Sequence, residues 1–130
     1  MAAGVGPEGG KREDRRGRRT PVDLSVVVGG RRSRAARAID LSLVGCLLRI
    51  DGALARGAVL DLTLELPDGP LRAKGRVAEA SIDGEAPAGP TRSFLAGFEF
   101  LALAAGDEAR LRAFLEAETK RRRVANAPPS

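Results

Sequence analysis

The sequence predicts an all-β domain with one C-terminal helix: a small six-stranded antiparallel β-barrel. Three observations lead there. Short runs of period two recur along the chain, bounded by Gly, Pro or Asp. The period changes once, after residue 107, where Leu111, Phe114 and Leu115 fall on one helical face at i, i+3 and i+4. Finally, 130 residues make one domain, too short to shield many strand edges unless the sheet closes on itself. A hydrophobic content of 43% suffices for its core.

The elements follow in order. Residues 1–10 are Gly-rich without apolar periodicity and read as a disordered tail. Residues 11–19 (KREDRRGRR) are nearly all charged and read as an extended arm. The barrel is expected over 21–103. Leu24 to Val28 is β-branched and stops at Gly29-Gly30, a strand and a turn. Ala35 to Leu41 is a second strand candidate, and Cys46 to Ile50 a third after Gly45, ending at Asp51-Gly52. Leu60, Leu62, Leu64 and Leu66 alternate with Asp61, Thr63 and Glu65. Pro67 to Pro70 reads as a four-residue turn into Ala73, Gly75 and Val77, which completes a hairpin. Residues 83–92 read as a polar loop before the strand carrying Phe94, Ala96, Phe98 and Phe100. Asp107 is the expected cap of a helix over 107–118, with a basic tail over 119–130.

Composition narrows the function. No apolar run is long enough to span a bilayer, and no apolar stretch follows the basic start as a secretory signal would. The expectation is a cytoplasmic protein without membrane insertion. His is absent and Cys46 is the one cysteine, so neither a neutral-pH base nor a cysteine metal site can be assembled. No paired-carboxylate motif replaces them, which argues against an enzyme, and no metal or cofactor is expected.

Charge is unevenly distributed. Residues 1–37 carry ten Lys/Arg against four Asp/Glu, and residues 38–119 carry eight against thirteen. Lys120, Arg121, Arg122 and Arg123 add a second basic cluster. A mildly acidic body thus has basic ends, an arrangement that attracts anions. All but three of the cations are Arg, whose planar fork of donors fits phosphate oxygens and the guanine edge.

Two motifs stand out. Arg15-Arg16-Gly17-Arg18-Arg19 has the spacing R-x-x-x-R, and Asp40-Leu41-Ser42-Leu43-Val44-Gly45 has the form D-x-S-x-x-G, 21 residues after Arg19. With the strand layout and Gly97-Phe98-Glu99-Phe100, this order resembles the PilZ domain, the bacterial receptor module for cyclic di-GMP. The resemblance covers about residues 11–118. It implies a split, PilZ-like barrel that binds cyclic di-GMP without catalysis and passes the signal to a protein partner. It puts Arg15 and Arg19 on phosphate and guanine, with Arg16 next, and Asp40, Ser42 and Gly45 against a guanine edge.

The chemistry of these residue types agrees. Arg can fork onto phosphate or guanine O6/N7 and stack on a purine. Asp accepts from the N1–H and N2–H₂ of guanine, Ser can donate or accept, and Gly permits close backbone approach. Repulsion among the arm arginines should keep residues 11–19 loose until an anion binds and orders them.

Structural readings of the same residues stand beside these. Asp40 and Ser42 can bond their own turn, Gly45 can be a bulge, Cys46 a core residue and Arg121 to Arg123 a solvated helix end. The sequence also departs from the family pattern. Asp14 sits before Arg15, Leu43-Val44 fills the second motif, and no Trp or Tyr is available for stacking. A degenerate PilZ-like adaptor that binds protein and no nucleotide is therefore the alternative. A nucleic-acid-binding barrel is disfavoured, because such surfaces use aromatic platforms and this chain is 3% aromatic.

Overall fold

The structure is a computed structural model that describes residues 17–29, 32–82 and 93–125. Six strands, β1 (Thr20–Val28), β2 (Arg34–Leu41), β3 (Gly45–Asp51), β4 (Val59–Leu66), β5 (Gly69–Ile82) and β6 (Ser93–Ala102), precede one helix, α1 (Ala105–Ala125). The strands close in the order β1-β2-β3-β6-β5-β4, every pairing antiparallel. The period-two runs do what their spacing predicts. Leu62, Leu64 and Leu66 face inward from β4, and Leu71, Ala73 and Val77 from β5. They meet Val26, Leu48, Ile50 and Phe98 in one apolar core. Each fully buried Leu or Ile contributes about 1.5–3 kcal/mol of transfer free energy.

The seams are unequal. β1 and β4 share three residue pairs, Val26↔Leu64, Val27↔Thr63 and Val28↔Leu62, so the Thr20 half of β1 has no strand on that side. The helix α1 lies across this gap. Leu111 and Leu115 enter the core, and Phe114 packs half-buried beside them. Arg110 ties the first turns of α1 to the β4–β5 hairpin, donating to Asp68 Oδ1 at 2.9 Å, Gly69 O at 2.8 Å and Pro70 O at 3.0 Å. Nine residues on, Thr119 Oγ1 lies 3.5 Å from Thr20 Oγ1 at the start of β1.

Several boundaries differ from the sequence expectation. β1 begins at Thr20, ahead of the apolar run; its inward alternation continues through Val22 to Thr20, but Thr20, Pro21 and Asp23 give that stretch little apolar signal. The hairpin loop is Pro67-Asp68, because Leu66 already pairs with Gly69, whose φ of 131° suits the missing Cβ. β5 continues past Val77 to Ile82 as an exposed extension paired only with β6. α1 starts at Ala105 and runs through residue 125. Asp107 is thus inside its first turn, where it suits the helix dipole and accepts from Arg110 at 3.1 Å, and residues 119–125 of the expected tail are helix. The loop expected at 83–92 and the tail 1–10 lie outside the described residues.

Candidate ligand-binding site

The described end of the first motif meets the second at one mouth of the barrel. Thr20 pairs with Leu41 and Pro21 with Asp40, so the chain enters β1 directly against the end of β2. Arg18 and Arg19, both exposed, precede that pairing. A Cβ on Gly17 would lie 3.9 Å from Val44 Cγ2, so the leader passes over the turn between β2 and β3. Arg15 and Arg16, with most of the arm, lie outside the described residues. Of the first motif, Arg19 is the member that can be located, and it stands beside the second motif.

Asp40 owes its orientation to a bulge. Ala38 pairs with Leu48 and Asp40 with Leu47, which leaves Ile39 as the extra residue. Ala36 and Ala38 point inward before the bulge and Leu41 after it, so Asp40 faces outward between Pro21 and Leu47. Its carboxylate is half-buried and makes no ion pair with any described residue.

Ser42 and Gly45 build the turn itself. The Ser42 hydroxyl is fully buried, accepts from the amides of Val44 and Gly45 at 3.1 Å each, and donates to Gly45 O at 3.2 Å. One donor and two acceptor positions are all a serine has, so this hydroxyl is committed. Ser42 N donates to Gly45 O at 2.9 Å, and Val44 O accepts from Phe100 N at 2.8 Å. Gly45 pairs with Glu99, and a Cβ there would collide with the carbonyl oxygen of Phe98. Ser42 and Gly45 thus frame the turn. The self-bonded turn open to Ser42 in the sequence is present, and Gly45 lies in close contact with the Phe98 backbone.

Cys46 lies beneath this mouth. Burial pushes its thiol up to about 12, with the positive charge of Arg19 pulling the other way. A thiol so placed stays protonated at neutral pH and acts as core.

Between the leader, the turn and α1 lies a cleft of about 540 Å³. Its walls include Arg18, Thr20, Leu43, Arg112, Leu115, Glu116, Lys120 and Arg123. Sequence reasoning marked Lys120 and Arg123 only as part of a basic cluster and did not single out Arg112, Glu116 or Thr119, whose recurrence at helical spacing ordinarily marks a solvated face.

A family model for the PilZ domain matches residues 11–117. The chain belongs to the PilZ domain family. PilZ domains are receptors for cyclic di-GMP and are generally non-catalytic. This PilZ barrel shares its fold with the inhibitor of motility MotI of Bacillus subtilis, at a TM-score of 0.69 and 18% identity over 84% of this chain and 51% of that one. The PilZ domain of YcgR from Escherichia coli, solved with cyclic di-GMP, gives a TM-score of 0.65 and 19% identity over 82% of this chain and 92% of that domain. The cyclic di-GMP-dependent transcription regulatory factor MrkH gives 0.65 and 15%, over 78% of this chain and 49% of that one. The chain thus spans about half the length of MotI and MrkH. No curated protein matches it. No helix among the described residues is long and apolar enough to cross a membrane.

Proposed function

We propose that this PilZ domain is a non-catalytic receptor for cyclic di-GMP, with its site at the leader–turn junction. One observation carries the reading: the pairing of Thr20 with Leu41 and Pro21 with Asp40, which makes Arg19 and the outward carboxylate of Asp40 neighbours. Arg15, Arg16 and Arg19 supply guanidinium forks for phosphate and guanine. Asp40 accepts from the N1–H and N2–H₂ of one guanine. Ser42 and Gly45 hold the turn in shape so that these groups meet a fixed surface. With no Trp or Tyr in the chain, stacking falls to the arginine planes.

The leader is the switch in this reading. Its crowded guanidiniums repel one another until two phosphates sit among them, and residues 11–19 then order over the mouth to present a new face to a protein partner. Isothermal titration of the full chain with cyclic di-GMP tests the receptor. Stoichiometric heat is expected, and its absence would leave the protein-binding adaptor in its place. Amide exchange in residues 11–19 should slow when the messenger is added; unchanged exchange would remove the switch.

A further inference from the structure

The basic cluster near the end of α1 divides between two sides of the helix. Arg121 and Arg122 both engage Glu118, at 2.6 and 3.5 Å. Lys120 and Arg123 instead line the cleft with Arg112, Glu116 and Thr119. Counted from Arg112, these residues fall at i, i+4, i+7, i+8 and i+11, one continuous helical stripe. Arg18 of the leader is a further cationic wall of the same cleft, and Leu43 and Leu115 add apolar surface.

The cleft is electrostatically unbalanced. Four of its walls are cationic (Arg18, Arg112, Lys120 and Arg123) and one, Glu116, is anionic. Arg112 leans on Glu108 at 3.6 Å. Arg18, Lys120 and Arg123 have no carboxylate partner among the described residues, although Glu118 nearby takes two arginines. Like charges held in a concavity with apolar walls focus a positive potential that an anion would relieve. The cleft is contiguous with the leader–turn junction, since Arg18 adjoins Arg19 and Leu43 belongs to the D-x-S-x-x-G turn. Its volume lies within the roughly 300–1,000 Å³ of small-ligand sites.

We infer that α1 forms a second cationic wall of the messenger site. Lys120 and Arg123, with Arg18, hold one phosphate of a cyclic di-GMP molecule whose guanine is read at Asp40. This rests on the receptor reading above and adds residues outside both sequence motifs. The helix that spans the open seam then also closes on the ligand.

The test compares two charge-matched variants of the full chain by titration with cyclic di-GMP, alongside wild type and Arg19→Ala. Lys120→Gln/Arg123→Gln removes the cleft pair, and Arg121→Gln/Arg122→Gln removes the pair held by Glu118. The first should lose about tenfold or more in affinity, as expected for lost charged hydrogen bonds. It should also flatten the salt dependence of binding, while the second stays close to wild type. Lys120→Gln alone should move in the same direction by less. Circular dichroism should give the same helix content throughout, because Gln matches Lys and Arg in helix propensity, and Lys120, Arg121 and Arg123 are exposed with Arg122 half-buried. Wild-type affinity in Lys120→Gln/Arg123→Gln, with binding lost in Arg19→Ala, would remove the α1 wall and leave the receptor intact. Equal losses in both double variants would reduce the effect to net charge and likewise overturn it. No heat from wild type would remove wall and receptor together.

Discussion

The two mouths of the barrel make an instructive pair. At the Thr20 end of β1, a cleft of about 540 Å³ sits between the leader, the turn and α1. At the Val28 end, a larger cleft of about 750 Å³ is bounded by Arg32, Arg34, Ala53, Leu54 and Leu60. Both have arginine walls, and the larger lies at the end away from the motifs. Arg34 donates to Asp51 O at 3.3 Å, closing its own strand ends. At the first mouth, by contrast, cations from two separate elements, the leader and α1, face one space against a locked turn. Neither volume nor arginine content makes a binding site. In the receptor reading, convergence on a fixed surface does.

The largest effect that bears on this contrast is on affinity. Arg19→Ala should weaken cyclic di-GMP binding roughly ten- to hundredfold in isothermal titration, the loss of a charged hydrogen bond, while Arg34→Ala at the other mouth should leave it unchanged. The reverse result would move the site to the far mouth. Next comes the rigidity of the turn. Gly45→Ala forces a Cβ against the Phe98 carbonyl and should cost about 1–3 kcal/mol in urea unfolding, as overpacking does. Wild-type stability would mean that β3 can slide and that the surface is not fixed.

Ser42→Ala sharpens the comparison further. It strands the amides of Val44 and Gly45 and should cost about 1–3 kcal/mol of stability. Affinity measured well below the unfolding transition should fall less than for Arg19→Ala. A full loss of binding with unchanged stability would make the hydroxyl a ligand contact after all. The smallest effect concerns the dry ground under this mouth. The folded Cys46 thiol titrates near 12 and the unfolded one near 9.0. As pH rises above 9.0, the unfolded chain ionises first and releases its proton while the folded chain keeps it, so stability falls with pH across that window. Urea midpoints between pH 8 and 10 should drop more for wild type than for Cys46→Ala.

Much of the barrel was legible because burial on one face writes alternation into the sequence. Leu60 to Leu66 and Leu71 to Val77 announce their strands that way. The signal fails where both faces are wet or where few of the inward residues are apolar. Ala78 to Ile82 are all exposed, so the extension of β5 carried no pattern. The first residues of β1 carried little apolar signal, because only Val22 among Thr20 to Asp23 is a buried hydrophobic, whereas the end of β2 at Leu41 was read as the structure has it. In the site, the proximity of Arg19 and Asp40 followed from motif order across one hairpin. The self-bonding of Ser42 was one of two uses open to its hydroxyl, and only the positions of the Val44 and Gly45 amides reveal it. The cleft-facing residues of α1 were illegible for another reason. Polar residues at helical spacing look alike whether they face solvent or a neighbouring cation, and only the packing of Leu111 and Leu115 fixes which stripe faces the leader.

The collision that confines Gly45 to glycine has a consequence for how such a receptor is tuned. In the receptor reading proposed above, one half of the binding surface is the turn framed by Ser42 and Gly45, and the entropy lost on capture would fall mainly on the leader. Substitutions among residues 11–19 can therefore grade sensitivity to the messenger over a wide range while the thermal midpoint of the barrel stays where it is.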